Sequence, residues 1–202
     1  KIICIGKNYL KHIQELNSRK EDDPVIFLKP ETSIIQKKQP FFIPEFSNEI
    51  HYELEIILKF NRLGKHIDPK FSAKYYDKIS LGIDFTARDL QRSLKDRGLP
   101  WDVSKGFDSS ALIGEWIDVN EFKDINNINF RLVKNGEIVQ KSSSANMIWK
   151  IDTLISSVSK FFTIKIGDIS FTGTPEGVGE VNKDDVFEGF IENKKVFSIK
   201  IK

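Results

Sequence analysis

The apolar residues of this chain recur mostly with a period of two, in short runs interrupted by Gly, Pro, Asn and Asp. Alternation at that period sends side chains to opposite faces of an extended strand, so most of the chain is committed to sheets, with room for a few helices only. Two hairpins can be read directly. Phe130 to Val133 and Ile138 to Gln140 flank Asn135-Gly136, a pair suited to the positive φ angles of a tight turn. Val186 to Ile191 and Val196 to Ile201 alternate around a longer turn at Glu192-Asn193-Lys194. Three stretches carry helical signals. The first is Tyr9 to Leu16, with Asn8 as its N-cap. The second opens at Thr86, where Thr86 and Asp89 make a capping-box pattern, and stops before Gly98 and Pro100. In the third, Ile151, Leu154, Ile155, Val158, Phe161 and Phe162 share one face of a 3.6-residue period, which is expected to pack on the sheets and do nothing else.

No repeat, low-complexity tract or linker divides the 202 residues, and one domain spanning 1–202 is expected. With 31 Lys and Arg against 29 Asp and Glu, the net charge of +2 makes no field that would draw nucleic acid or an anionic membrane. No apolar run approaches the roughly 20 residues that cross a bilayer. A single cysteine, Cys4, excludes an internal disulfide, and no charged-then-apolar leader opens the chain, so a reducing, cytoplasmic setting is expected. The charged stretch Asn17 to Asp23, between the first helix and the strand at Val25 to Leu28, is the candidate lid.

Chemistry concentrates in a few places. On a strand through His51 to Leu58, Leu54, Ile56 and Leu58 face one side while Glu53 and Glu55 face the other. Two neighbouring carboxylates repel, so a cation should sit between them; alone, however, the pair reads equally well as a solvated face met by lysines. A third carboxylate, Asp84, ends the apolar strand from Ile79 where a strand gives way to a helix. Three carboxylates with water form an oxygen cage suited to Mg²⁺, Mn²⁺ or Ca²⁺ rather than Zn²⁺.

Arg88 and Gln91 follow three residues apart near a helix N-terminus, where anions are favoured. Lys105 lies in the apolar context Trp101 to Phe107; it is either the salt-bridge partner of one of the acids or an ammonium that stabilises an enolate or carboxylate. The turn Thr172-Gly173-Thr174-Pro175-Glu176-Gly177 either offers N–H groups and the Thr174 hydroxyl to an anion or uses its glycines for backbone geometry alone. His12 and Glu15, three apart on the first helix, are either a surface contact or a carboxylate orienting an imidazole.

Taken in order, these segments resemble the fumarylacetoacetate hydrolase family, and within it the short, single-domain acylpyruvase and oxaloacetate decarboxylase branch. Six strings carry the resemblance over most of the chain. They are Cys4 to Tyr9 with His12 and Glu15, Phe27-Leu28-Lys29-Pro30, Glu53-Leu54-Glu55, Asp84 to Asp89, Gly98 to Phe107, and Thr172-Gly173-Thr174-Pro175. The resemblance implies a mainly β fold, a mixed β-sandwich roll with a few helices. It implies a divalent metal, Mg²⁺ with Mn²⁺ or Ca²⁺ as substitutes, held by Glu53, Glu55 and Asp84, and usually a homodimer. It also implies His12 with Glu15 as the water-activating dyad, on a segment that orders when substrate binds.

The sequence departs from the family pattern at the Ser-rich stretch Lys141 to Ile148, with its loop at 142–146, and in the short segment between Glu15 and Pro24. The expected substrate is a small 2-oxo acid fixed by Arg88, Gln91, Gly173 and Thr174, with Lys105 beside the enolate. The expected reaction is acylpyruvate hydrolysis or oxaloacetate decarboxylation. An isomerase or tautomerase of the hydroxymuconate or heptadiene-dioate type is the first rival, and the dyad is expected to weigh against it. A non-catalytic module stabilised by its metal is the second.

Overall fold

The structure, a computed structural model, describes residues 1–202. In chain order the strands are β1 (Ile2–Gly6), β2 (Val25–Lys29), β3 (Ile50–Tyr52), β4 (Leu54–Phe60), β5 (Tyr76–Asp84), β6 (Thr86–Ala87), β7 (Ala111–Ile113), β8 (Ile117–Asp118), β9 (Asn129–Lys134), β10 (Glu137–Ser143), β11 (Ile169–Phe171), β12 (Gly179–Glu180), β13 (Val186–Ile191) and β14 (Lys194–Lys200). The helices are α1 (Leu10–Glu15), α2 (Arg88–Asp96), α3 (Asp102–Lys105) and α4 (Ile151–Phe161). A large sheet runs β2-β1-β11-β4-β5-β7, with β8 also on β5; a second runs β10-β9-β13-β14, and a third runs β12-β3-β6. Every strand pairing is antiparallel except β1 with β11. This is the mainly β sandwich roll with a few helices that the sequence leads one to expect.

The two faces of β4 and β5 explain where chemistry can sit. Leu54, Ile56, Leu58, Ile79, Leu81 and Ile83 point into a core of 36 buried residues. That core also takes the inner residues of both hairpins and Ile151, Leu154, Ile155 and Val158 of α4, whereas Phe161, expected on the same face, falls at its edge and is 70% exposed, and Phe162 lies just past the helix end. The opposite face of the large sheet carries a small cluster of Ile2, Cys4, Ile57, Ala111, Ile169 and Phe171. By the period-two rule Glu55 and Asp84 belong to this second side, so the carboxylates stand over a thin apolar layer rather than in the main core.

Several local readings change in the folded chain. Asn135 and Gly136 have φ of 53° and 89°, as the tight turn requires, but the register slips between Ile138 and Gln140. The C-terminal hairpin closes more tightly than the pattern suggests: Ile191 pairs with Lys194, so Glu192 and Asn193 alone make the turn, Glu192 at φ 49°. Asn8 does not cap α1, whose N-cap is Tyr9. Its amide instead accepts from Trp149 N at 2.8 Å and donates to Thr172 O at 2.8 Å, because a buried amide gains more from tertiary partners than from a half-exposed helix end. The capping box at Thr86 and Asp89 also fails. Thr86 lies in β6, α2 starts at Arg88, and Asp89 receives the Ser47 hydroxyl at 2.6 Å and Asn48 N at 2.9 Å. A four-residue helix, α3, was not visible in the periodicity because one turn is too short to establish one.

Gly82 on β5 tests the packing of the thin layer. A Cβ there would fall 2.6 Å from the Phe171 ring and 2.7 Å from Leu112 O, and the carbonyl cannot move without breaking the sheet. Gly82→Ala is expected to destabilise the fold by about 1–3 kcal/mol, the usual range for overpacking a core. A lowered urea midpoint at unchanged m would show it.

Candidate metal centre

The extended segment from Ile50 to Phe60 changes partners at Glu53: β3 lies between β12 and β6, and β4 lies between β11 and β5. Glu53 belongs to neither strand. Its carbonyl accepts from Asp84 N at 2.9 Å, and the next amide, Leu54 N, goes to the Gln140 side chain at 2.9 Å. Across the β4–β5 ladder Leu54 faces Ile83 and Glu55 faces Gly82, which brings Glu55 beside Asp84. One carboxylate oxygen from each of Glu53, Glu55 and Asp84 lies within 4.8 Å of the others.

Three cations answer the three acids. Lys105 Nζ, at the end of α3, is 2.7 Å from Glu53 Oε2, 2.8 Å from Asp84 Oδ2 and 2.6 Å from Thr86 Oγ1. Arg88 Nη2 pairs with Glu53 Oε1, and its Nη1 donates to Gln91 Oε1 at 2.5 Å. Lys29 Nζ stands 2.7 Å from Asp84 Oδ1. All six charged residues are 5% exposed or less.

Burial works against each charge, and the partners decide the outcome. Burial alone would raise the Glu53 carboxyl, but Lys105 and then Arg88 pull it far below the carboxylate range. For Lys105 burial favours the neutral amine, yet Asp84 and Glu53 hold its pKa above the ordinary value. Glu55 goes the other way: burial, then the charges of Asp84 and Glu53, push it well above the usual value, and the Gly173 N–H at 2.6 Å from Oε2 only partly offsets this.

These residues fit a divalent ion. Glu55 has no lysine or arginine partner, and Asp84 Oδ1 has no hydrogen bond, Lys29 standing near it but outside hydrogen-bond geometry. A cation bound here would relieve both. The donors are all oxygen, which suits Mg²⁺, Mn²⁺ or Ca²⁺, and their spacing is one that a single such ion can span.

One cleft is lined by the triad together with His12, Arg88, Gln91, Lys105 and Thr174. Glu15 and Gly173 sit behind that wall. His12 Nδ1 is 3.0 Å from Glu15 Oε2, and Glu15 Oε1 accepts from Gly177 N at 2.9 Å, so α1 is tied to the loop after β11. Burial would raise the Glu15 carboxyl, but its bonds from His12 and Gly177 outweigh it and hold the pKa below the usual value. With Nδ1 engaged, His12 keeps Nε2 for exchange. The Gly-rich turn is more committed than its sequence suggests. Gly173 N serves Glu55, and the Thr174 hydroxyl donates to Leu54 O at 2.9 Å while accepting from Gln140 at 3.0 Å. Gly173 also has φ 99°, and a Cβ there would meet the Cβ of Asn8 at 2.7 Å. The charged stretch 17–23 is tied to α1 through Asn17 N to Gln14 O at 3.0 Å and Ser18 N to Ile13 O at 2.9 Å, and farther along by Glu21, 2.6 Å from Lys7.

Three residues of the site escaped the sequence reading. His51 Nδ1 accepts from Arg88 Nε at 3.4 Å, and its Nε2 is 3.0 Å from Glu49. Burial and the Arg88 charge lower its pKa, which favours the neutral ring this geometry needs. Gln140 joins β4 to Thr174 and Pro175. Lys29 donates to Lys105 O, to Ser110 O at 3.1 Å and to Ser110 Oγ at 2.9 Å, and so fixes the backbone that carries Lys105. The available signal for Lys29 was a lysine closing the apolar run Val25 to Leu28. Lys29→Met should destabilise the protein by about 3–5 kcal/mol, the loss typical of removing one partner from a buried ion pair, read from urea unfolding.

A family model described as fumarylacetoacetate (FAA) hydrolase C-terminal matches residues 1–200. The mitochondrial oxaloacetate tautomerase FAHD1 of Bos taurus is 35% identical over 201 residues, 100% of this chain and 90% of the relative. A mitochondrial oxaloacetate decarboxylase of Dictyostelium discoideum is 37% identical over 189 residues, 93% of this chain and 87% of its own length. Among solved structures, fumarylpyruvate hydrolase from Pseudomonas aeruginosa, in complex with Mn²⁺ and pyruvate, superposes with a TM-score of 0.93 at 30% identity, covering 99% of this chain and 88% of that one.

Proposed function

Because the chain belongs to the fumarylacetoacetate hydrolase family, whose members compared above act on small 2-oxo acids, we propose that it converts such an acid through an enolate at the Glu53, Glu55 and Asp84 centre. The observation that carries this reading is the pairing of a three-carboxylate oxygen site with two buried cations, Arg88 and Lys105, in one cleft. Glu53, Glu55 and Asp84 would hold the divalent ion, Mg²⁺ with Mn²⁺ or Ca²⁺ in its place. When bound, that ion polarises the 2-oxo carbonyl and stabilises negative charge as it develops.

The other steps belong to the chain. Arg88 and Gln91, locked together at 2.5 Å, bind and orient the substrate carboxylate. Lys105 keeps a full positive charge next to the enolate, a contact that strengthens in the transition state. Thr174, its hydroxyl committed to Leu54 O, shapes the wall. His12, with Nδ1 held by Glu15, takes a proton at Nε2. A homodimer working in the cytoplasm completes the reading.

In acylpyruvate hydrolysis the proton comes from the water that attacks the distal carbonyl, and the electron pair of the broken C3–C4 bond becomes the enolate of pyruvate. In oxaloacetate decarboxylation the pair left by departing CO₂ forms the same enolate and no water is used. Tautomerisation is the second reading, and the Bos taurus relative favours it. The His12–Glu15 dyad does not weigh against it after all, since a base that can deprotonate water can also move a proton at C3.

His12→Ala is therefore expected to lower acylpyruvate hydrolysis and tautomerisation by roughly 10²–10⁴-fold, the usual loss of a general base, with a much smaller effect on decarboxylation. The kcat ratio of the three reactions at one saturating Mg²⁺ concentration measures this, and an equal drop in all three would make His12 a binding residue instead. Chelation should abolish every activity and lower the urea midpoint without unfolding the protein, because Lys29, Arg88 and Lys105 still pair with Asp84 and Glu53 while Glu55 loses the cation that relieved it. Unfolding on chelation would favour a metal that serves structure alone.

A further inference from the structure

The cleft extends past the residues used above. Five of its lining side chains are basic: Lys7, His12, Arg88, Lys95 and Lys105. Four have carboxylate partners: Lys7 with Glu21, His12 with Glu15, Arg88 with Glu53, and Lys105 with Glu53 and Asp84. Lys95 has none, and its ammonium stands over the Trp101 ring, 5.5 Å from Nζ to the centroid. Arg88, Gln91 and Lys95 are spaced i, i+3 and i+7 on α2, so they share one face, with Lys95 about 10 Å along the axis from Arg88. Side chains on a helix lean toward its N-terminus, which brings the Lys95 ammonium back over the cleft.

Partial burial at Lys95, together with the like charges of Lys7 and Arg88, makes its ammonium unfavourable, and its pKa is lowered. A cation left without a counter-charge among other cations is poised for an anion that arrives with the ligand. The inner site has its own balance, three acids against Lys29, Arg88 and Lys105, and Glu53, the acid there that favours the Lys95 ammonium, is already held by Arg88 and Lys105.

Building on the function proposed above, we infer that Lys95, braced on Trp101, forms a distal subsite for a second carboxylate, so that the cleft selects dianionic 2-oxo acids over monoanionic ones of the same length. The first carboxylate and the 2-oxo oxygen go to the triad end, and the second reaches along α2. Lys95 is a specificity residue in this arrangement and takes no part in bond making.

Binding competition on the Mn²⁺-loaded protein tests this independently of which reaction is run. Pyruvate binding by calorimetry reports the inner site. Chain-matched pairs without a cleavable β-carboxylate or β-carbonyl then isolate the distal charge: 2-oxoglutarate against 2-oxopentanoate, and 2-oxoadipate against 2-oxohexanoate, each displacing pyruvate. In the wild type at least one dianion should bind about tenfold more tightly than its partner, the low end of what a charged hydrogen bond supplies. Lys95→Gln should erase that preference and leave the pyruvate dissociation constant within about twofold, whereas Lys95→Arg should retain the preference. A wild type without preference, or a preference that survives Lys95→Gln, overturns the subsite while leaving the inner-site reading intact. If the wild type binds no pyruvate with Mn²⁺, the proposed function fails and the subsite with it.

Discussion

Three carboxylates and three basic side chains, all buried within a few ångströms of one another, form the interaction on which the rest of this structure depends. Removed from water singly, any of these charges would be costly enough to neutralise itself. Together they form a closed set: Lys105 bridges Glu53 and Asp84, Arg88 holds Glu53, and Lys29 faces Asp84. Only Glu55 is left to the backbone, at Gly173 N. The imbalance falls on that residue, whose carboxyl is pushed up, and it makes the cluster a place for a cation.

The fold gathers this set by modest means. Alternation along β4 and β5 turns leucines and isoleucines inward and acids outward, and antiparallel pairing of the two strands brings Glu55 and Asp84 together. The partner change at Glu53 lets a third acid join from just outside the strand. α2 and α3 then deliver Arg88 and Lys105 from above, while β2 supplies Lys29 from the side. Each contributor is held by a rigid element or by a buried hydrogen bond, so the group need not reorganise when charge changes beside it.

A second layer holds the first. His51 and Gln91 set the Arg88 guanidinium, Gln140 sets the wall at Thr174, and Glu15 sets the His12 ring while joining α1 to Gly177. Each of these contacts removes a freedom that the cleft would otherwise have. The inner site is thereby nearly neutral and fixed, and the excess of positive charge lies farther out along α2.

By itself the sequence determined what depends on neighbours along the chain. The period-two runs set the sheet-rich class, Asn135-Gly136 set one turn, the 3.6-residue face set α4, and the Glu-x-Glu spacing put two acids on one strand face, whereas their meeting with Asp84 waited on the pairing of β4 with β5. These signals are local because side-chain direction and φ are set within a few residues. Tertiary structure decided everything that depends on distant partners. Asn8 left its helix cap for Thr172, 164 residues away, and Lys29 met Ser110, 81 residues away. The Thr174 hydroxyl turned to Leu54, 120 residues away. A buried polar group takes whichever partner the closed fold brings within about 3 Å, and no spacing along the chain encodes that choice.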